Sequence, residues 1–235
     1  MKIGLFDSGS GLFTVAQAIR RLNPQADLIL YSDLANMPYG ERSLAELQLL
    51  MEADLEALKQ ADADIFVSAC NTLSVTLLQG DMPPRVIEMV EPIARDLRAS
   101  GIAQVAVVGT PATIGSGLYT QVLARHGITA TAIAIPGLAA AIEEERTGDA
   151  QSLIQTHLAE KDMPDIGILA CTHYPLIRPL FEKVCPNTRW LDPAEAVARA
   201  VIDLAGLEGE GSLRVITTAP PTPAYKKLQQ KLAES

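Results

Sequence analysis

Cysteine is scarce in this chain: Cys70, Cys171 and Cys185 are the only three in 235 residues. An odd, sparse count is no disulfide framework and fits a reducing compartment, so a cytoplasmic location is expected. Aromatics are few, at 4%. Basic residues are outnumbered, with 19 Lys and Arg against 28 Asp and Glu and a net charge of −9. Without a Lys/Arg cluster, nucleic acid and anionic membrane surfaces are poor partners. No uncharged apolar run approaches the roughly 18 residues a membrane helix needs. The opening MKIGLFDSGSG reaches Asp7 too soon to read as a signal peptide. The full dinucleotide glycine pattern and the phosphate-loop GK[ST] are both missing. No Cys/His pair has a partner at zinc spacing, so no metal is expected. The lysines fall on surface helices or loops, away from any setting for a Schiff base.

What is present is an alternation of short apolar runs with longer amphipathic ones. Strands are expected at Ile3–Phe6, Leu28–Tyr31, Ile65–Ser68, Val105–Val108, Ala130–Ala134, Ile166–Leu169 and Leu213–Thr217. Most are too apolar to be half-exposed, as in parallel sheets covered on both faces. Helices are expected between them, among them Gly11–Leu22, Ser43–Gln60, Thr72–Gln79, Ala112–His126 and Ala194–Leu204. Prolines around Asp81–Pro84 are expected to break one helix.

The chain also resembles itself. Asp64-Ile65-Phe66-Val67-Ser68-Ala69-Cys70-Asn71-Thr72 parallels Asp165-Ile166-Gly167-Ile168-Leu169-Ala170-Cys171-Thr172-His173. Each follows an earlier strand ending in a small polar loop, Asp7–Gly11 and Gly109–Thr113. Ser8 lies 62 residues before Cys70, and Thr110 lies 61 before Cys171. Two similar α/β lobes follow, with mostly parallel sheets flanked by helices and a pseudo-twofold relation. Residues 1–95 plus 205–235 would form one lobe and 96–204 the other. Ligands bind at the carboxyl ends of such strands, which places both cysteines on one cleft. Coincidence is the competing reading, because Ala-Cys after an apolar strand is a common buried pattern.

Cys70 and Cys171 each sit between a strand and an expected helix start, where N–H groups and the helix dipole lower a thiol's pKa. Such a thiol can act as base or nucleophile; its alternative is a buried, inert cysteine. Cys185 has no such context. Asp7 and His173 are the ionisable neighbours that can relay protons. Ser8, Asn71, Thr72, Thr110, Thr113 and Thr172 offer hydroxyls, amides and backbone N–H groups for a carboxylate, or simply cap helices. Tyr39, in the turn Pro38-Tyr39-Gly40, is either a lid over a polar cleft or a surface tyrosine.

The ordered set of motifs resembles one family. Asp7-Ser8-Gly9-Ser10-Gly11, Tyr31-Ser32-Asp33 with Pro38-Tyr39-Gly40, Ala69-Cys70-Asn71-Thr72, Thr110-Pro111-Ala112-Thr113 and Leu169-Ala170-Cys171-Thr172-His173-Tyr174-Pro175-Leu176 are similar to the motifs of the glutamate racemases. The last is the most specific, and the resemblance covers nearly the whole chain. It implies cofactor-independent interconversion of L- and D-glutamate by two opposed thiols, and D-glutamate supply for bacterial peptidoglycan. It also implies two lobes with the site between them, often in a homodimer. By motif Cys70 matches the cysteine acting on the D enantiomer, with Asp7 assisting. Cys171 matches the one acting on the L enantiomer, with His173 assisting. Ser8, Pro38, Tyr39, Gly40, Asn71, Thr72, Thr110, Thr113 and Thr172 match substrate-contacting positions, and Asp33 and Glu143 assisting acidic ones. The chain departs from the family at Ser10, where a second glycine is usual. Leu73 replaces an alanine and is expected to narrow the pocket, and Ile135 replaces a cysteine. Aspartate or another small acidic amino acid is the alternative substrate, and a non-catalytic amino-acid-binding relative the alternative function.

Overall fold

The computed structural model describes residues 1–79 and 85–234. The expected helix break at Asp81–Pro84 lies outside the described residues. The strands are β1 (Lys2–Asp7), β2 (Asp27–Ser32), β3 (Ile65–Ser68), β4 (Val86–Ile87), β5 (Gln104–Gly109), β6 (Thr129–Ala134), β7 (Ile166–Ala170), β8 (Arg189–Leu191) and β9 (Leu213–Thr217). The helices are α1 (Leu12–Leu22), α2 (Leu44–Gln60), α3 (Asn71–Leu77), α4 (Val90–Ala99), α5 (Pro111–Gly115), α6 (Leu118–Arg125), α7 (Leu138–Glu143), α8 (Thr147–Leu158), α9 (Arg178–Val184), α10 (Ala194–Ala205) and α11 (Pro223–Ala233). A 3-10 turn spans Tyr174–Ile177.

All strand pairs are parallel. One sheet runs β4-β3-β1-β2-β9 and the other β6-β5-β7-β8. Apart from the added β9, the two orders are the same: β1 corresponds to β5, β2 to β6, β3 to β7 and β4 to β8. The two-lobe α/β architecture expected from the internal similarity is therefore present in the strand order. Cys70 follows β3 and Cys171 follows β7, at equivalent ends. The inner strands β1 and β5 are buried along all but their first residue, which explains their unbroken apolar reading. Edge strand β6 is exposed or half-buried at every residue but Ile133. β4 and β8 escape sequence reading because two or three residues carry no periodicity.

Local chemistry sets several boundaries. Ser43 and Glu46 form a capping box that starts α2. The single helix expected over Ala112–His126 is two, α5 and α6, because Gly117 adopts φ +67° between them. The expected division into 1–95 plus 205–235 and 96–204 does not follow the packing of two helices. Val197, Ala198 and Val201 of α10 join the core of the first sheet with α1. Ile93, Ala94 and Leu97 of α4 join Val105, Val107 and Tyr119 in the core of the second. These two helices contact each other and so tie the lobes together.

Candidate active site

Parallel strands deliver their carboxyl-end loops to one edge of each sheet, and the two edges face each other. Between them lies a cavity of about 120 Å³. Its walls include Asp7, Ser8, Pro38, Tyr39, Gly40, Cys70, Asn71, Thr72, Thr110, Glu143, Cys171, Thr172 and His173. Two expected residues stand behind the wall instead. Thr113 hydrogen-bonds Thr72 and Thr110 from below. Asp33 accepts a hydrogen bond of 2.7 Å from the Tyr39 hydroxyl. Leu73, expected to narrow the pocket, turns away from it into the apolar cluster around Phe6 and Leu58.

Glycine allows the two edges to approach. A Cβ on Gly11 would lie 2.1 Å from Thr172 Oγ1, and one on Gly40 would lie 2.8 Å from Thr110 Cβ. Both contacts join a loop of the first lobe to one of the second, so even alanine would push them apart. The substitution at Ser10 leaves this approach intact, because Gly11 occupies the crowded position.

The Cys70 half is built from a carboxylate. Cys70 is the residue before α3 and is buried, 5% exposed. Its thiol hydrogen-bonds Asp7, which ends β1. Burial and the Asp7 charge push the Cys70 thiol well above its ordinary value, despite a backbone N–H from Leu73. The lowering expected from a helix start is therefore reversed: the loss of water outweighs one short helix turn. Asp7 is itself raised to about 6 by burial, against the opposing pull of the His173 charge. Its carboxylate accepts from the Ser8 N–H at 2.7 Å and from the Thr172 hydroxyl, across the cleft, at 3.0 Å.

The Cys171 half is built from a cation. Cys171 precedes a 3-10 turn, so no α-helix start stands behind it. His173 Nδ1 lies 3.8 Å from Cys171 Sγ, and Nε2 lies 2.9 Å from Glu143 Oε2. Burial alone would lower the His173 pKa. The hydrogen bonds and negative charge of Cys171 and Glu143 outweigh it, and the imidazole is held well above its ordinary range. Burial would likewise raise Glu143, yet His173, Ser10 and Thr222 draw it down to about 2. Ser10 donates to Glu143 Oε2 at 2.5 Å, and Thr222 donates to Oε1 at 2.9 Å.

Three hydroxyls form a ring on the floor, with Thr72–Thr110 and Thr72–Thr113 at 3.1 Å and Thr110–Thr113 at 3.0 Å. Beside it the buried Tyr119 donates to Asn71 Oδ1 at 3.2 Å, leaving the Asn71 amide N–H₂ with no partner. An orphan donor and rotatable hydroxyls are what an anionic ligand would pair with. Sequence reading overlooked Ser10, Thr222 and Asp54. Ser10 read only as a departure within the Asp7–Gly11 motif, and Thr222 as an ordinary loop residue. Asp54 is a buried carboxyl inside a helix that otherwise reads as amphipathic. No cluster of three or more His, Cys, Asp or Glu able to hold a metal occurs among the described residues. No helix among them is long and apolar enough to cross a membrane.

Known proteins of similar sequence and fold share one family name. The Asp/Glu/hydantoin racemase family model matches residues 8–201. The glutamate racemase of Aquifex aeolicus is 35% identical over 93% of this chain and 89% of its own length. A Thermus thermophilus glutamate racemase is 35% identical over 99% and 92%. Among solved structures, a Bacillus anthracis glutamate racemase isoform superposes with a TM-score of 0.85 at 28% identity, covering 99% of this chain and 94% of that one. The Thermus thermophilus enzyme, in complex with β-chloro-D-alanine, gives 0.81 at 32% identity over 98% and 92%.

Proposed function

The chain belongs to the Asp/Glu/hydantoin racemase family, and within it we propose that it interconverts L- and D-glutamate with Cys70 and Cys171 as the two acid–base groups. One observation carries this reading. Two buried cysteines end topologically equivalent strands, line one cavity, and each has its own proton partner. The similarity to glutamate racemases over nearly the whole length supports glutamate as the substrate.

Racemisation removes the α-proton from one face and returns a proton to the other. For L-glutamate, the Cys171 thiolate takes the proton and the Cys70 thiol gives its own to the opposite face. Cys171 is left as a thiol and Cys70 as a thiolate, the state that D-glutamate requires. After L-to-D turnover the first state is restored by exchange with solvent, Cys70 regaining a proton by way of Asp7 and Cys171 giving one up by way of His173. A carboxyl near pKa 6 suits the first transfer. The developing carbanion has no cofactor to receive its charge, so fixed donors in a site closed to water must stabilise it. The Asn71 amide and the threonine ring supply those donors, so an acidic protein can hold an anionic substrate through local dipoles. The product serves the D-glutamate requirement of peptidoglycan.

Polarimetry with L-glutamate and then L-aspartate, without added cofactor, tests the reading. Decay of rotation with glutamate is expected. Turnover of aspartate alone would reassign the substrate, and silence with both would favour a binding protein. Cys70→Ser and Cys171→Ser should each lower turnover at least about 1,000-fold, because proton transfer itself is removed.

A further inference from the structure

Asp54 lies in the middle of α2 and is 1% exposed, where Leu47, Leu55 and Leu58 of the same helix pack into a cluster with Tyr31 and Tyr39. Its Oδ2 is 3.2 Å from the Tyr39 hydroxyl, and its Oδ1 has no hydrogen-bond partner. The same hydroxyl is 2.7 Å from Asp33 Oδ2. A phenol has one proton to give. Given to the nearer carboxylate, it leaves Asp54 facing oxygen lone pairs. Only a protonated Asp54 makes a hydrogen bond there, since an ionised one would add a second, buried and unsolvated charge to one hydroxyl in an apolar cluster.

We propose that Asp54 is a positioning residue that works as a neutral acid: it donates to Tyr39, Tyr39 donates to Asp33, and this chain fixes the Pro38–Tyr39–Gly40 wall of the cavity. Asp33 closes the chain by accepting from Asn36 at 2.8 Å and from Thr218 at 2.6 Å. The groups acting on Asp54 are Asp7 at the end of β1, Tyr31 on β2, and Asp33 and Tyr39 in the loop that follows. Cys70, at the start of α3, faces Tyr39. Burial and the charges of Asp33 and Asp7 push Asp54 up to about 8, against the opposing effect of the Tyr39 hydroxyl. Neutrality also spares the Cys70 side a further negative charge where an anionic substrate must enter.

This inference rests on the glutamate-racemising reading, which wild-type turnover tests by itself; the Asp54 variants are scored only against wild type. Asp54→Asn keeps a donor and should leave KM and kcat within about twofold, whereas Asp54→Leu should raise KM about tenfold with kcat changed less than about threefold. Urea unfolding from pH 4 to 8 supplies a readout that needs no turnover. Wild type must retain a proton on Asp54 to stay folded, so the stability of Asp54→Asn relative to wild type should grow with pH across that range. An unchanged KM in folded Asp54→Leu, a loss in Asp54→Asn equal to that in Asp54→Leu, or a stability difference flat from pH 4 to 8 would each overturn the proposal.

Discussion

The two cysteines occupy equivalent strand ends, yet their surroundings carry opposite charge. Behind Cys70 stands Asp7, a buried carboxyl near pKa 6, and the thiol is pushed up. Behind Cys171 stands His173, an imidazole held charged by Glu143. A duplicated scaffold has therefore been given unlike proton partners. In both halves the partner is secured from the other lobe. Asp7 accepts from Thr172, and Glu143 accepts from Ser10. The contacts that join the lobes are thus also the contacts that hold the proton partners of the thiols.

The sharpest way to break this comparison is to remove the cation. His173→Asn should lower kcat about 100-fold, the lower end of what a positioned acid–base group contributes. Because L- and D-glutamate are equally stable, kcat/KM must fall equally in both directions; unequal kcat values for the two enantiomers would show the asymmetry. Removing the carboxylate comes next. Asp7 accepts a proton only when ionised, so activity that depends on it should fall as pH drops through about 6. In Asp7→Asn the remaining, weaker activity should lose that acidic limb. A pH profile of kcat/KM for both proteins checks this.

Glu143→Gln reads the stability side of the His173 pair. Its carboxylate is held at about 2, below the ordinary 4.5. A depressed carboxylate stabilises the fold above its unfolded value and loses that contribution as pH falls toward its folded one. The variant should be destabilised by on the order of 3 kcal/mol at pH 7, with the gap closing between pH 4.5 and 2 in denaturant titrations. The smallest effect is expected from Thr222→Val. That hydroxyl donates to Glu143 and caps α11, accepting from the Tyr225 N–H at 3.1 Å. Its loss should cost about 1–2 kcal/mol with kcat changed only a fewfold.

The cysteine motifs were legible because each is short and local. A strand, a cysteine and a polar pair fall within nine residues, and the repeat puts two of them at nearly equal spacing. The alternation of apolar runs likewise marked seven of the nine strands among the described residues; β4 and β8 are too short to carry a pattern. Glu143 could be matched by motif only, because its partners Ser10, His173 and Thr222 come from three distant segments. Asp54 was invisible for a related reason. Its helix reads as an ordinary amphipathic one, and only the fold brings Tyr39 over it. Thermodynamic sign was less legible than position. A strand-to-helix junction suggests a lowered thiol pKa, but full burial beside Asp7 reverses it at Cys70.

The central claim is that two thiols act from opposite faces of one α-carbon. It is tested most directly by letting the wild-type protein act on L-glutamate in deuterium oxide and isolating both enantiomers early in the reaction. Two opposed groups predict D-glutamate carrying one deuterium at the α-carbon, with the remaining L-glutamate unlabelled, because Cys171 returns only the proton it took. Deuterium appearing in recovered L-glutamate as fast as D-glutamate forms would mean one group serves both faces, and would contradict the account.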